Sequence, residues 1–80
     1  MTIEMAQIIV ADVVERMAQK RKEDGRTMAD VAKDIGISMQ GYAHMEQLEH
    51  EPKASSFIAA LDELGYTVII KRKAAGEGIM

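Results

Sequence analysis

Gly36 stands between two stretches of helical spacing, and this arrangement limits the possible folds more than any other feature of the chain. On its N-terminal side, Thr27-Met28-Ala29-Asp30 reads as a capping box. The threonine hydroxyl and the aspartate carboxylate can each satisfy a backbone amide that a new helix leaves free. The helix opened there is expected over about residues 28–35, with Val31, Ala32 and Ile35 facing inward. Gly36 ends it, because glycine takes positive φ without a steric penalty. Ile37 fills the turn from the inside, and Ser38 caps a third helix expected to run to residue 49. Pro52 stops that helix, since the residue before a proline disfavours helical angles. Two short helices therefore meet across a tight turn.

The flanking segments complete a mainly α domain over residues 1–73. A long first helix within residues 1–25 has Ala6, Ile9, Val10, Val13 and Met17 on one face, Thr2 as its cap and Gly25 as its end. Met5, Ile8 and Val14 widen that face beyond what one neighbour needs. The simpler reading packs this surplus within the chain; the alternative sets it against a second subunit. A fourth helix over 54–64, capped by Ser55 or a neighbour, carries the stripe Phe57, Ile58, Leu61 and Leu64 and closes at Gly65. After it, Tyr66-Thr67-Val68-Ile69-Ile70 has the β-branched and aromatic character of a strand, expected over 66–72. A lone strand leaves its backbone donors and acceptors without partners. Either it pairs antiparallel with its own copy about a two-fold axis, making Tyr66, Val68, Ile69 and Ile70 a dimer interface, or it lies along the helices. Residues 74–80, with Gly76 and Gly78, read as a frayed tail.

Composition excludes several classes of function. Eighty residues make one domain with a small core, so a partner subunit is to be expected. There is no cysteine for a disulfide or a thiolate metal site, which suits the cytoplasm. Met5 to Ala11, the uncharged run near the start, is far short of the ~20 residues that span a bilayer, and it lacks the basic lead of a signal peptide. His44 and His50 have no cysteine nearby, and no metal site is expected. No phosphate loop or activated nucleophile is evident, so neither an enzyme nor a cofactor is expected.

Charge is segregated along the chain. Lys20, Arg21, Lys22 and Arg26 cluster at the end of the first helix, and Lys71, Arg72 and Lys73 near the C-terminus. Between residues 27 and 51 a single lysine faces Asp30, Asp34, Glu46, Glu49 and Glu51. The first cluster either complements the helix dipole or touches a nucleic-acid backbone. The second either blunts a strand edge or attracts phosphate. The glutamates read as a solvated face, with an acidic protein-binding face as the alternative. A net charge of −3 argues mildly against nucleic-acid binding.

The spacing Ala32, Gly36, Tyr42, Met45, and above all Gly-Ile-Ser at 36–38 followed by Gln40, Tyr42, Met45 and Glu46, resembles the helix-turn-helix of the lambda-repressor and Cro-like (XRE-type) family. The resemblance runs from about residue 27 through Gly65. The strand after the fourth helix is similar to that of HipB-type antitoxins, whose dimers pair such strands. The resemblance implies a bundle of short helices with one C-terminal strand pairing across a two-fold dimer. It also implies recognition of DNA half-sites roughly 34 Å apart.

Carried over by position, the family's contacts would place Met39, Gln40, Ala43 and His44 at base edges, with Gln40 able to pair bidentately with adenine. Gly41 lets the backbone come close, Ser38 and Thr27 suit phosphate oxygens, and Arg26 and Lys53 add charge. Two departures weaken the pattern: Met28 stands where many members have glutamine, and His44 where many have a basic residue. The expected function is a dimeric regulator that represses by binding operator DNA, with a toxin protein as a further partner if it is antitoxin-like. The rival is a protein-binding module on the same scaffold that has lost DNA.

Overall fold

The computed structural model describes residues 1–74. Its helices are α1 (Ile3–Glu23), α2 (Met28–Ile35), α3 (Met39–Glu46) and α4 (Ala54–Glu63). The local signals act as expected in the first three. Thr2 accepts a hydrogen bond from the Met5 amide at the start of α1, both halves of the Thr27–Asp30 capping box are formed, and Ser38 caps α3. Helix α4 is different. Lys53 occupies its cap position and makes no side-chain capping bond, so neither Ser55 nor another polar neighbour serves there.

All four helices end the same way. In each, a left-handed residue bonds back three positions and its successor bonds back five: Gly25 to Lys22 and Arg26 to Arg21, Gly36 to Lys33 and Ile37 to Ala32, Leu48 to Met45 and Glu49 to His44, Gly65 to Asp62 and Tyr66 to Leu61. This Schellman arrangement needs a left-handed residue at its centre. Three of the four are glycine; the fourth is Leu48 at φ 58°. Helix α3 therefore stops at Glu46, three residues before the expected end, and Pro52 plays no part in its termination. Sequence reading passed over this stop because leucine is a poor sign of left-handed backbone.

The core consists of Met17 from α1, Val31 and Ala32 from α2, Tyr42 and Met45 from α3, and Ala60, Leu61 and Leu64 from α4 and its end. Val13, Met28, Ile35, Ile37 and Phe57 pack around it. On α4, Ala60 is fully buried while Ile58, expected on the inner stripe, is half exposed.

Helix α1 departs most from its expected face. Val14, Met17 and Arg21 are its buried residues, whereas Ile9 is 50% exposed, and Met5 and Ile8 are 54% and 70% exposed. Of the three surplus residues, only Val14 packs within the chain. The reason is length: 21 residues rise about 31 Å, whereas the molecule measures 43 × 23 × 21 Å along its principal axes. The other helices are too short to cover the N-terminal half.

Among the described residues there is no strand, and 66–74 has no regular secondary structure. The single chain offers this segment no second strand to pair with. Val68, Ile69 and Ile70 are exposed. Of the expected tail over 74–80, residues 75–80 lie outside the described residues. Among the described residues no helix is long and apolar enough to cross a membrane.

Candidate nucleic-acid interface

Helix α3 is fixed on its inner side before its outer side can do anything. Tyr42 and Met45 are buried, and Ala32 on α2 is small enough for the two helices to pack closely. The turn between them is held by Gly36 at φ 83°, whose amide bonds to Ala32, as does that of Ile37 at 3.0 Å. At the start of α3, Ser38 Oγ accepts from the Gly41 amide at 3.0 Å. A Cβ at position 41 would come within 3.0 Å of that same oxygen, so the small residue keeps the cap undisturbed.

A buried ion pair ties α3 to α1. Arg21 Nε donates to Glu46 Oε2 at 2.9 Å and Nη2 to Oε1 at 2.7 Å, while Nη1 donates to the Arg26 carbonyl at 2.8 Å. Both side chains are nearly closed to solvent, at 9% and 8% exposure. Such a two-pronged pair is short and geometrically demanding, which suits an anchor. The bond to Glu46 holds the guanidinium more firmly protonated than usual. Tyr42 Oη is buried beside the pair and has no hydrogen-bond partner among the described residues. Burial, and then the Glu46 charge, push its ionisation well above the ordinary value of 10. Two sequence readings change here: Glu46 is not part of a solvated acidic face, and Arg21 is closed inside the chain and does not reach a nucleic-acid backbone. Lys20 of the same cluster bonds Asp24 at 2.7 and 2.8 Å.

With Tyr42 and Met45 turned inward, the helical period turns Met39, Gln40, Ala43 and His44 outward. Gln40 is exposed, Met39 is 52% exposed, and Ala43 and His44 are half-buried at the edge of the face. His44 Nε2 lies 3.3 Å from Glu49, and its ring meets that of His50 edge-on at 5.9 Å. A cleft of about 320 Å³ separates α3 from the start of α4, with Gly41, His44, His50, Lys53 and Ser56 among its walls. Gln47, which sequence reading did not single out, is exposed and continues the outward stripe one turn beyond Ala43 and His44. The signal was present as the i, i+7 spacing from Gln40.

The flanking groups are less free than the sequence implied. The Thr27 and Asp30 amides are taken by the capping box, and the bond from the Thr27 amide holds the Asp30 carboxyl below its ordinary range. A carboxylate at this helix start repels phosphate. The Thr27 and Ser38 hydroxyls, which accept from the Asp30 and Gly41 amides, still have a proton to donate. Arg26 bridges Asp34 at 2.6 Å and Glu63 at 2.9 Å and also donates to the Glu63 carbonyl, so its charge serves mainly to hold α2 and α4 together. Lys53 is exposed at the cleft.

The match to known families agrees with this geometry. A family model described as Helix-turn-helix matches residues 17–69, about two thirds of the chain. Neither a search of curated proteins nor one of solved structures finds a match. The matched span includes α2, the glycine turn, α3 and the Arg21–Glu46 anchor that seats α3. With these elements in place, the chain belongs to the lambda-repressor and Cro-like (XRE-type) helix-turn-helix family of DNA-binding transcription regulators.

Proposed function

We propose that the chain acts as a dimeric, sequence-specific repressor, occupying operator DNA in the cytoplasm with the outward face of α3 in the major groove. The observation that supports this best is the two-sidedness of α3. Its inner residues are buried and anchored, while Gln40, an amide able to read adenine, is exposed at its first turn. Met39 and Ala43 offer apolar contact to thymine methyls, and Gln47 extends the reading stripe. Ser38, Thr27 and Lys53 supply phosphate contacts. Arg26 contributes field rather than a direct bond, given its two carboxylate partners. Segment 66–70 of each copy pairs with the other about the two-fold axis.

An electrophoretic shift with the chain's own upstream DNA tests this reading. Gln40→Ala should relax preference at one base pair by ~1–3 kcal/mol. Lys53→Ala should weaken all sequences alike and reduce the salt dependence. A second reading, a protein-binding module that has lost DNA, is favoured by the internal use of Arg21, Arg26 and Lys20 in ion pairs. That use leaves little positive charge beside an acidic stretch. No shift at low salt, combined with capture of a protein partner, would select it. A toxin as that partner rests on the family resemblance alone.

A further inference from the structure

We propose that the first half of α1, residues 3–13, is an arm that packs against the same arm of a second copy, so that the dimer interface is arm plus segment 66–70. This rests on the dimeric reading above and deepens it by assigning the surface. On the arm, Ile3, Met5, Ile8 and Ile9 are 67%, 54%, 70% and 50% exposed. At 100° per residue these four, with Ala6 and Val10, spread over more than half of the helix circumference, leaving Glu4 and Gln7 on the remainder. A helix apolar around most of its girth is normally covered. The chain's own body does not do this, since the first fully buried residue of α1 is Val14, about 16 Å along the axis from Ile3.

Segment 66–70 adds a second exposed apolar patch: Val68, Ile69 and Ile70 are 46%, 76% and 98% exposed.

The area fits a subunit contact. If burying an aliphatic side chain is worth 1.5–3 kcal/mol at 25 cal/mol/Å², each covers roughly 60–120 Å². Arm and segment together then expose on the order of 500 Å². A stable interface takes about 800 Å² from each partner, some 60% of it apolar. The two values agree.

Charge points to a second copy rather than a foreign partner. The arm's acidic groups are Glu4, on the polar side, and Asp12, paired with Arg16 on the same helix at 3.0 Å. Little on this face would steer an oppositely charged protein, and little would hold two copies apart. A notch between Val10, Glu51, Pro52, Ala54 and Phe57 at the base of the arm can receive a side chain from the partner.

Sedimentation equilibrium of the full chain decides the matter, with circular dichroism to confirm that each variant is folded. The wild type should be a dimer. The double variant Ile8→Glu, Ile9→Glu should raise its dissociation constant by about a hundredfold or more, because two unpaired charges enter the contact. A wild-type monomer at every concentration would overturn both this inference and the dimeric reading. A dimer indifferent to the double variant yet abolished by Ile69→Glu would overturn the arm alone and leave the dimer standing. If the double variant loses helix content, Ile9→Cys with a short bis-maleimide answers instead: a covalent dimer supports the arm, and its absence rejects it.

Discussion

The two halves of α1 meet fates opposite to their hydrophobicity: eight of the eleven residues at 3–13 are apolar against three of the ten at 14–23, yet the buried residues all lie in the second half. In the C-terminal half an arginine is buried while Lys20 and Lys22 beside it reach solvent; in the N-terminal half Ile3, Met5, Ile8 and Ile9 stand in the open. Hydrophobic content does not decide which half is buried. The buried half lies where α3 and the end of α4 can reach it, and Arg21 is tolerated inside because Glu46 and the Arg26 carbonyl engage its donors. Burial is a property of the neighbourhood, and a residue type only sets what that neighbourhood must supply. The anchored half positions α3 for DNA, and the open half remains available for another chain.

Removing the anchor should have the largest effect. Glu46→Ala leaves the Arg21 guanidinium buried without its carboxylate and should cost about 3–5 kcal/mol in urea denaturation, enough to unfold a domain of this size. Arg21→Met with Glu46→Leu should recover most of that loss, and failure to recover it would mean that the pair does more than fill space. Next, Met17→Ala should cost about 2–5 kcal/mol, whereas Ile9→Ala, measured where the chain is monomeric, should stay within about 0.5 kcal/mol. Equal costs would erase the distinction between the two halves.

The smallest effects come from the helix stops. Gly36→Ala should lose about 1–2 kcal/mol, because a side chain at φ 83° meets the backbone. Leu48→Gly relieves a similar strain but removes an apolar side chain that, with Ala11, Val14 and Ala18, lines a groove where the two halves of α1 join. Its melting curve should show a net change within about 0.5 kcal/mol. A large loss would show that Leu48 is part of the anchor.

The candidate site was legible in outline because its markers are local. Gly36, the Thr27–Asp30 box and Ser38 act on backbone groups within three or four residues, and Tyr42 and Met45 follow the helical period. Leu48 was not legible, because leucine carries no local sign of a left-handed position, and so the end of α3 was missed. The strand over 66–72 read clearly as a propensity, but ladder bonds belong to a pair of segments and not to one.

By itself, then, the sequence determined where helices begin, where three of the four stop, and that a small residue, a glycine and two bulky residues would bring α2 and α3 together. Short-range hydrogen bonding and steric limits on φ are enough for that. Only the tertiary structure decided that Arg21 and Glu46 would find each other across 25 positions, that Arg26 would bind α4, and that α1 would extend past the body which buries its other half. These outcomes depend on distances between elements that no local pattern encodes, since the same residue is core or surface according to what the rest of the chain can reach.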